Sequence, residues 1–65
     1  MNKMTNEELL SIIDRYGFDL EMNGSWGRGI NRDKSVYQQM PSFAGGDMNW
    51  VLRHIAAWIL DYATE

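Results

Sequence analysis

FDLEMNGSWGRGIN, residues 18–31, is the stretch on which the fold turns. Phe18, Leu20 and Met22 alternate with Asp19, Glu21 and Asn23. That period of two describes a strand with one buried face. Asn23-Gly24 follows, a pair that tolerates positive φ and is the strongest short-range hairpin signal. A second strand then covers roughly 26–31, WGRGIN, in which Gly27 and Gly29 mark a bulge or a close approach of backbone.

The register of this hairpin decides which face each side chain takes. A two-residue turn at Asn23-Gly24 places Leu20 opposite Gly27, and Trp26 on the face of Asp19 and Glu21. A three-residue turn at 23–25 aligns Met22 with Trp26 and Phe18 with Ile30 on the core face. The second buries more apolar area and is the expected register. A slip of one residue reverses the face of Trp26.

Upstream, the spacing predicts a helix over 5–16. Thr5 and Glu8 have the spacing of a capping box, and Met4 and Leu9 stand at the staple positions around it. Glu7 and Glu8 suit the positive end of the helix dipole. Leu9, Ile12, Ile13 and Tyr16 share one face. Gly17 can end the helix in the left-handed conformation and let Phe18 fold back on Ile13.

Downstream, Arg32-Asp33-Lys34 reads as a polar turn and SVYQQM, 35–40, as a third strand ended by Pro41. PSFAGG, 41–46, reads as a loop with Phe43 plugging the core. Asp47 is a suitable N-cap for a second helix from Met48 to about Ala63. On that helix Met48, Val51, Leu52, Ile55, Ile59, Tyr62 and Ala63 form one apolar face at about 100° per residue. The fold expected is α+β: an αβββα single domain over 1–65, a three-stranded antiparallel sheet with the N- and C-terminal helices packed on one face.

Composition narrows function by exclusion. A chain of 65 residues buries only about 60% of the surface its unfolded form exposes. It has no cysteine, so disulfides and thiolate metal sites are ruled out. Its N-terminus lacks the long apolar segment of a signal peptide. Its longest apolar run, IAAWIL at 55–60, is far too short to span a bilayer. The cytoplasm is the expected compartment, with no membrane partner. The net charge of −3 argues against a general nucleic-acid binder. Yet residues 28–34 carry three cations and one anion, a basic hairpin on an acidic body.

No constellation points to catalysis. His54 is the sole histidine, and Asp47 and Asp61 each lie seven residues away, roughly 10 Å along a helix. The pair Asp19 and Glu21 is met most simply by Arg28 or Lys34 across the sheet. Gly27-Arg28-Gly29 fits neither a phosphate-binding loop nor a dinucleotide fingerprint. The expectation is therefore no enzyme, no cofactor and no metal.

Two surfaces remain. Trp50, His54 and Trp58 are spaced i, i+4, i+8 along the second helix, beside the core face. They read either as core margin or as a partner surface, since tryptophan is enriched among interface anchors. Trp26, Arg28, Arg32 and Lys34 form a second patch. There an indole could stack on a base while cations contact phosphates.

Starting at methionine and ending soon after a helix, the chain reads as a whole gene product. Its size and acidity resemble those of phage and mobile-element accessory proteins that bind and block a host protein. The leading expectation is a protein-binding inhibitor or adaptor. The alternatives are a nucleic-acid-binding accessory protein using the hairpin, and a homodimer with the tryptophan ridge as its seam.

Overall fold

The computed structural model describes residues 4–33 and 40–62. Five elements follow in chain order: α1 (Asn6–Arg15), β1 (Phe18–Asn23), β2 (Trp26–Asn31), β3 (Phe43–Ala44) and α2 (Met48–Tyr62). The strands form one antiparallel sheet in the order β1-β2-β3. Both helices pack on the same face of it.

Local chemistry sets the helix ends. The backbone N–H of Glu8 donates to Thr5 Oγ1 at 3.1 Å and that of Thr5 donates to Glu8 Oε1 at 2.8 Å, so the capping box is closed. Gly17, at φ 87°, releases the chain into β1. Asp47 Oδ1 accepts the N–H of Trp50 at 2.8 Å and starts α2. The two helices begin side by side. Asn49 on α2 donates to the Met4 carbonyl at 3.0 Å and to Asn6 Oδ1 at 2.9 Å.

The hairpin register differs from both sequence alternatives. Asn23 pairs with Trp26, Met22 with Gly27, Leu20 with Gly29 and Phe18 with Asn31. The turn is Gly24-Ser25, with positive φ at Gly24 alone (64°), the arrangement of a type II′ turn. Trp26, Arg28 and Ile30 consequently share the helix-free face with Asp19 and Glu21. The alignment of Met22 with Trp26 on the core face is thus corrected. The physical reason is α2. A Cβ at position 27 would already stand 3.1 Å from Val51 Cγ1, and an indole has no room there. Gly27 and Gly29 are the close approach that their sequence positions suggested.

The reading of 41–46 as a loop is also corrected, since the third described strand is Phe43–Ala44. The 35–40 strand lies outside the described residues except for Met40, which is buried and not in a strand. Continuing the pairs Trp26–Ala44 and Gly27–Phe43 would set Pro41 opposite Gly29. Proline has no N–H to give a ladder. The Gly29 N–H instead donates to Met40 Sδ at 3.0 Å.

One core holds these elements together: Leu9 and Ile13 from α1, Phe18, Met40, and Val51, Leu52, Ile55, Ala56 and Ile59 from α2. Each fully buried leucine or isoleucine in such a core contributes about 1.5–3 kcal/mol. Phe43 is half-buried against it, as its sequence position suggested. Met48 and Tyr62, expected on the core face of α2, are exposed at its two ends. Ala63 lies outside the described residues. No described helix is long and apolar enough to cross a membrane.

Candidate functional site

The apolar surface of α2 exceeds what its core face uses. Trp50, His54, Trp58 and Tyr62 follow one another at intervals of four residues, and each step drifts about 40° around the axis. They form a single aromatic ridge along the helix. Trp50 and His54 are stacked, with ring centroids 3.8 Å apart and planes at 26°. Trp58 and Tyr62 are tilted at 39° with centroids 4.6 Å apart. Trp50, His54 and Trp58 are half-buried, and Tyr62 is 58% exposed. Sequence reasoning placed Tyr62 in the core and missed it for the ridge. The signal was available, since 62 continues the same spacing.

The N-terminal end of the ridge is built by its neighbours. The Trp50 indole lies directly over Gly45, where a Cβ would stand 2.0 Å from Trp50 Cε3. His54 Nδ1 is 2.8 Å from the Trp50 carbonyl oxygen. A carbonyl only accepts, so Nδ1 carries the proton and, in the neutral ring, Nε2 is the acceptor. Phe43 closes the other side of His54, its ring centroid 5.9 Å away. His54 therefore holds the aromatic stack in place, and among the described residues no carboxylate orients it as a base. Among the described residues no group of three His, Asp or Glu gathers as a metal site.

Beside the start of α2 runs a mainly apolar groove of about 430 Å³. The hairpin tip (Met22, Gly24, Ser25), the loop Gly45-Gly46-Asp47, and Met48 and Val51 line it. Nothing in the sequence marked it, because it joins residues from three separate stretches.

The basic hairpin divides into two intrachain uses. Arg28 Nε donates to Glu21 Oε1 at 2.8 Å, the cross-strand pair that the sequence suggested. Arg32 clamps the end of α1. Its Nη1 donates to Asp14 Oδ1 at 2.8 Å and to Asp19 Oδ1 at 3.2 Å, and its Nη2 donates to the Asp14 carbonyl. The Asp14 hydrogen bond raises the Arg32 pKa above its ordinary value. A raised pKa means that the clamp is complete below the ordinary arginine range and is lost only as pH rises beyond it. Trp26 is half-buried on the helix-free face. Lys34 lies outside the described residues. The structure thus joins Trp50, His54 and Trp58 in one surface and sets Trp26, Arg28 and Arg32 apart from it.

No family model, curated protein or solved structure matches this chain.

Proposed function

We propose that this protein acts by docking on a partner protein through the aromatic ridge of α2, in the role of an inhibitor or adaptor. The observation that supports this reading is the run of four partly exposed rings at positions 50, 54, 58 and 62. Tryptophan and tyrosine supply large contact areas at low entropic cost, and anchors of this type dominate interface energetics. A small chain rarely leaves such a surface without a use. A nucleic-acid role has less support, because Arg28 and Arg32 are already paired with carboxylates of the same chain. A host protein blocked by an accessory protein is the partner class that this size and acidity suggest.

The test is capture from lysate of the native source with immobilised wild type, Tyr62→Ala and Trp58→Ala, alongside sedimentation over a range of concentrations. Tyr62→Ala should keep its stability within about 0.5 kcal/mol, as exposed positions do. A specific partner held by wild type should be lost from both variants, with a deficit of more than about 2 kcal/mol where the affinity is measured. Equal capture by all three would refute the reading. Concentration-dependent dimers abolished by Tyr62→Ala would instead make the ridge a seam between copies.

A further inference from the structure

The outer edge of β1 is an open strand template. In a two-residue hairpin the residues flanking the turn exchange hydrogen bonds, so Asn23 and Trp26 point at each other. Glu21–Arg28 and Asp19–Ile30 do the same by alternation. The intervening residues of β2 point the other way, and Gly29 does so visibly in its bond to Met40. By the same alternation the N–H and C=O groups of Leu20 and Met22 point outward from β1. Among the described residues no backbone or side-chain group pairs with them. β1 spans six residues and contains no proline, lysine or bulge, so the charges of Asp19 and Glu21 alone restrict what this edge can pair with.

The side chains beside that edge define what it can take. On the helix side, Leu20 and Met22 are half-buried at the margin of the core, and an added strand would cover them. On the other side stand Asp19 and Glu21, whose side chains are 62% and 42% exposed. Arg32 is shared between Asp14 and Asp19, so three carboxylates face two guanidinium groups here. Asp19 and Glu21 each use one oxygen in these pairs and keep the other.

A second copy of the chain fits poorly in the registers that pair most of β1. An antiparallel β1–β1 pairing centred on Leu20 sets Asp19 against the partner's Glu21 at both ends. Centring on Glu21 sets that carboxylate against itself. Like charges directly opposite each other destabilise a sheet. We propose that the outer edge of β1 receives an extended segment of a partner protein as a fourth strand. In that segment, apolar residues alternate with lysine or arginine. Its backbone pairs with Leu20 and Met22, its apolar side chains cover those two, and its cations meet Asp19 and Glu21. This site is separate from the α2 ridge and does not depend on it.

The test uses isotope-labelled full-length protein and the capped peptide Lys-Val-Lys-Val-Lys-Val-Lys, with Glu-Val-Glu-Val-Glu-Val-Glu as comparison. On titration with the lysine peptide, the amide resonances of Leu20 and Met22 should shift and their hydrogen exchange should slow. The glutamate peptide should bind at least about fivefold more weakly, and Glu21→Gln should weaken lysine-peptide binding by about twofold or more. Asp19 is left unchanged because it belongs to the Arg32 clamp. Trp58→Ala should leave peptide binding unaltered. Equal binding of the two peptides, or shifts confined to α2, would overturn the proposal. So would protection of the Leu20 and Met22 amides that grows with protein concentration in the absence of peptide, since that identifies a second copy as the occupant.

Discussion

Gly27→Ala tests how closely α2 lies on the sheet. The added Cβ would stand 2.3 Å from Met22 Sδ, 3.1 Å from Val51 Cγ1 and 3.2 Å from the Glu21 carbonyl oxygen. Met22 is half-buried and its thioether can swing aside, at a rotamer cost of about 0.5–1.5 kcal/mol. Val51 is buried and the Glu21 oxygen is backbone, so neither yields easily. Overpacking of this kind typically costs about 1–3 kcal/mol. Alanine returns about 0.4–1 kcal/mol by restricting the unfolded chain. The net expectation is destabilisation by about 1–2 kcal/mol. In a domain of this size that lowers Tm by roughly 5–15 °C. Urea and thermal unfolding measure it. Gly46→Ala is the control, because a Cβ there meets nothing within 4 Å and its φ is not positive. That variant should stay within about 0.5 kcal/mol of wild type or gain slightly. In a Met22→Ala background the Gly27→Ala penalty should shrink, because the nearest obstacle is gone. A Gly27→Ala protein as stable as wild type, with the control behaving as stated, would refute the close packing of α2 on β2.

Thr5→Ala should cost about 1 kcal/mol through loss of the α1 cap, read as a lower denaturation midpoint. Gly45→Ala should push the Trp50 ring off its seat, because the new Cβ would fall 2.0 Å from Cε3. The expected sign is a red shift in tryptophan emission that is absent when Trp50→Phe is already present. Arg32→Ala should lower stability by releasing Asp14, Asp19 and the end of α1 together. The gap from wild type should narrow near 1 M salt, where the Debye length falls to about 3 Å.

Legibility in the sequence followed the range of the interactions involved. Helix α1 was readable because its cap joins Thr5 to Glu8, three residues apart, and its exit needs only Gly17. Helix α2 was readable from Asp47 and its apolar period. The hairpin existed in the sequence as alternation plus Asn23-Gly24, but its register did not. Apolar area favoured Trp26 on the core face, whereas the space actually belongs to Val51, a residue 25 positions later. The strand at Phe43–Ala44 went unread for a related reason. SVYQQM has strand-like composition, while Phe43–Ala44 is too short to show a period and is defined only by its pairing with Trp26 and Gly27. Arg32 was read as a surface cation. Its three acceptor contacts come from α1 and β1, and no local pattern announces them.

The ridge on α2 joins folding to docking unevenly along its length. Trp50 fills the space above Gly45, stacks on His54 and packs against the core, so its removal exposes part of the fold. Full truncation of a buried tryptophan costs about 3–5 kcal/mol, and a half-buried one costs a fraction of that. A binding defect in Trp50→Ala would therefore mix lost contact with lost structure. Tyr62 stands at the other end, 58% exposed and touching Trp58. The ridge passes from structural to accessible between Trp50 and Tyr62. A partner that uses it gains most at the C-terminal end of α2, where the Tyr62 ring can be covered without first being pulled from the core. Trp58, like Trp50, packs against the core, so Tyr62 is the position at which binding can be altered with the fold left standing.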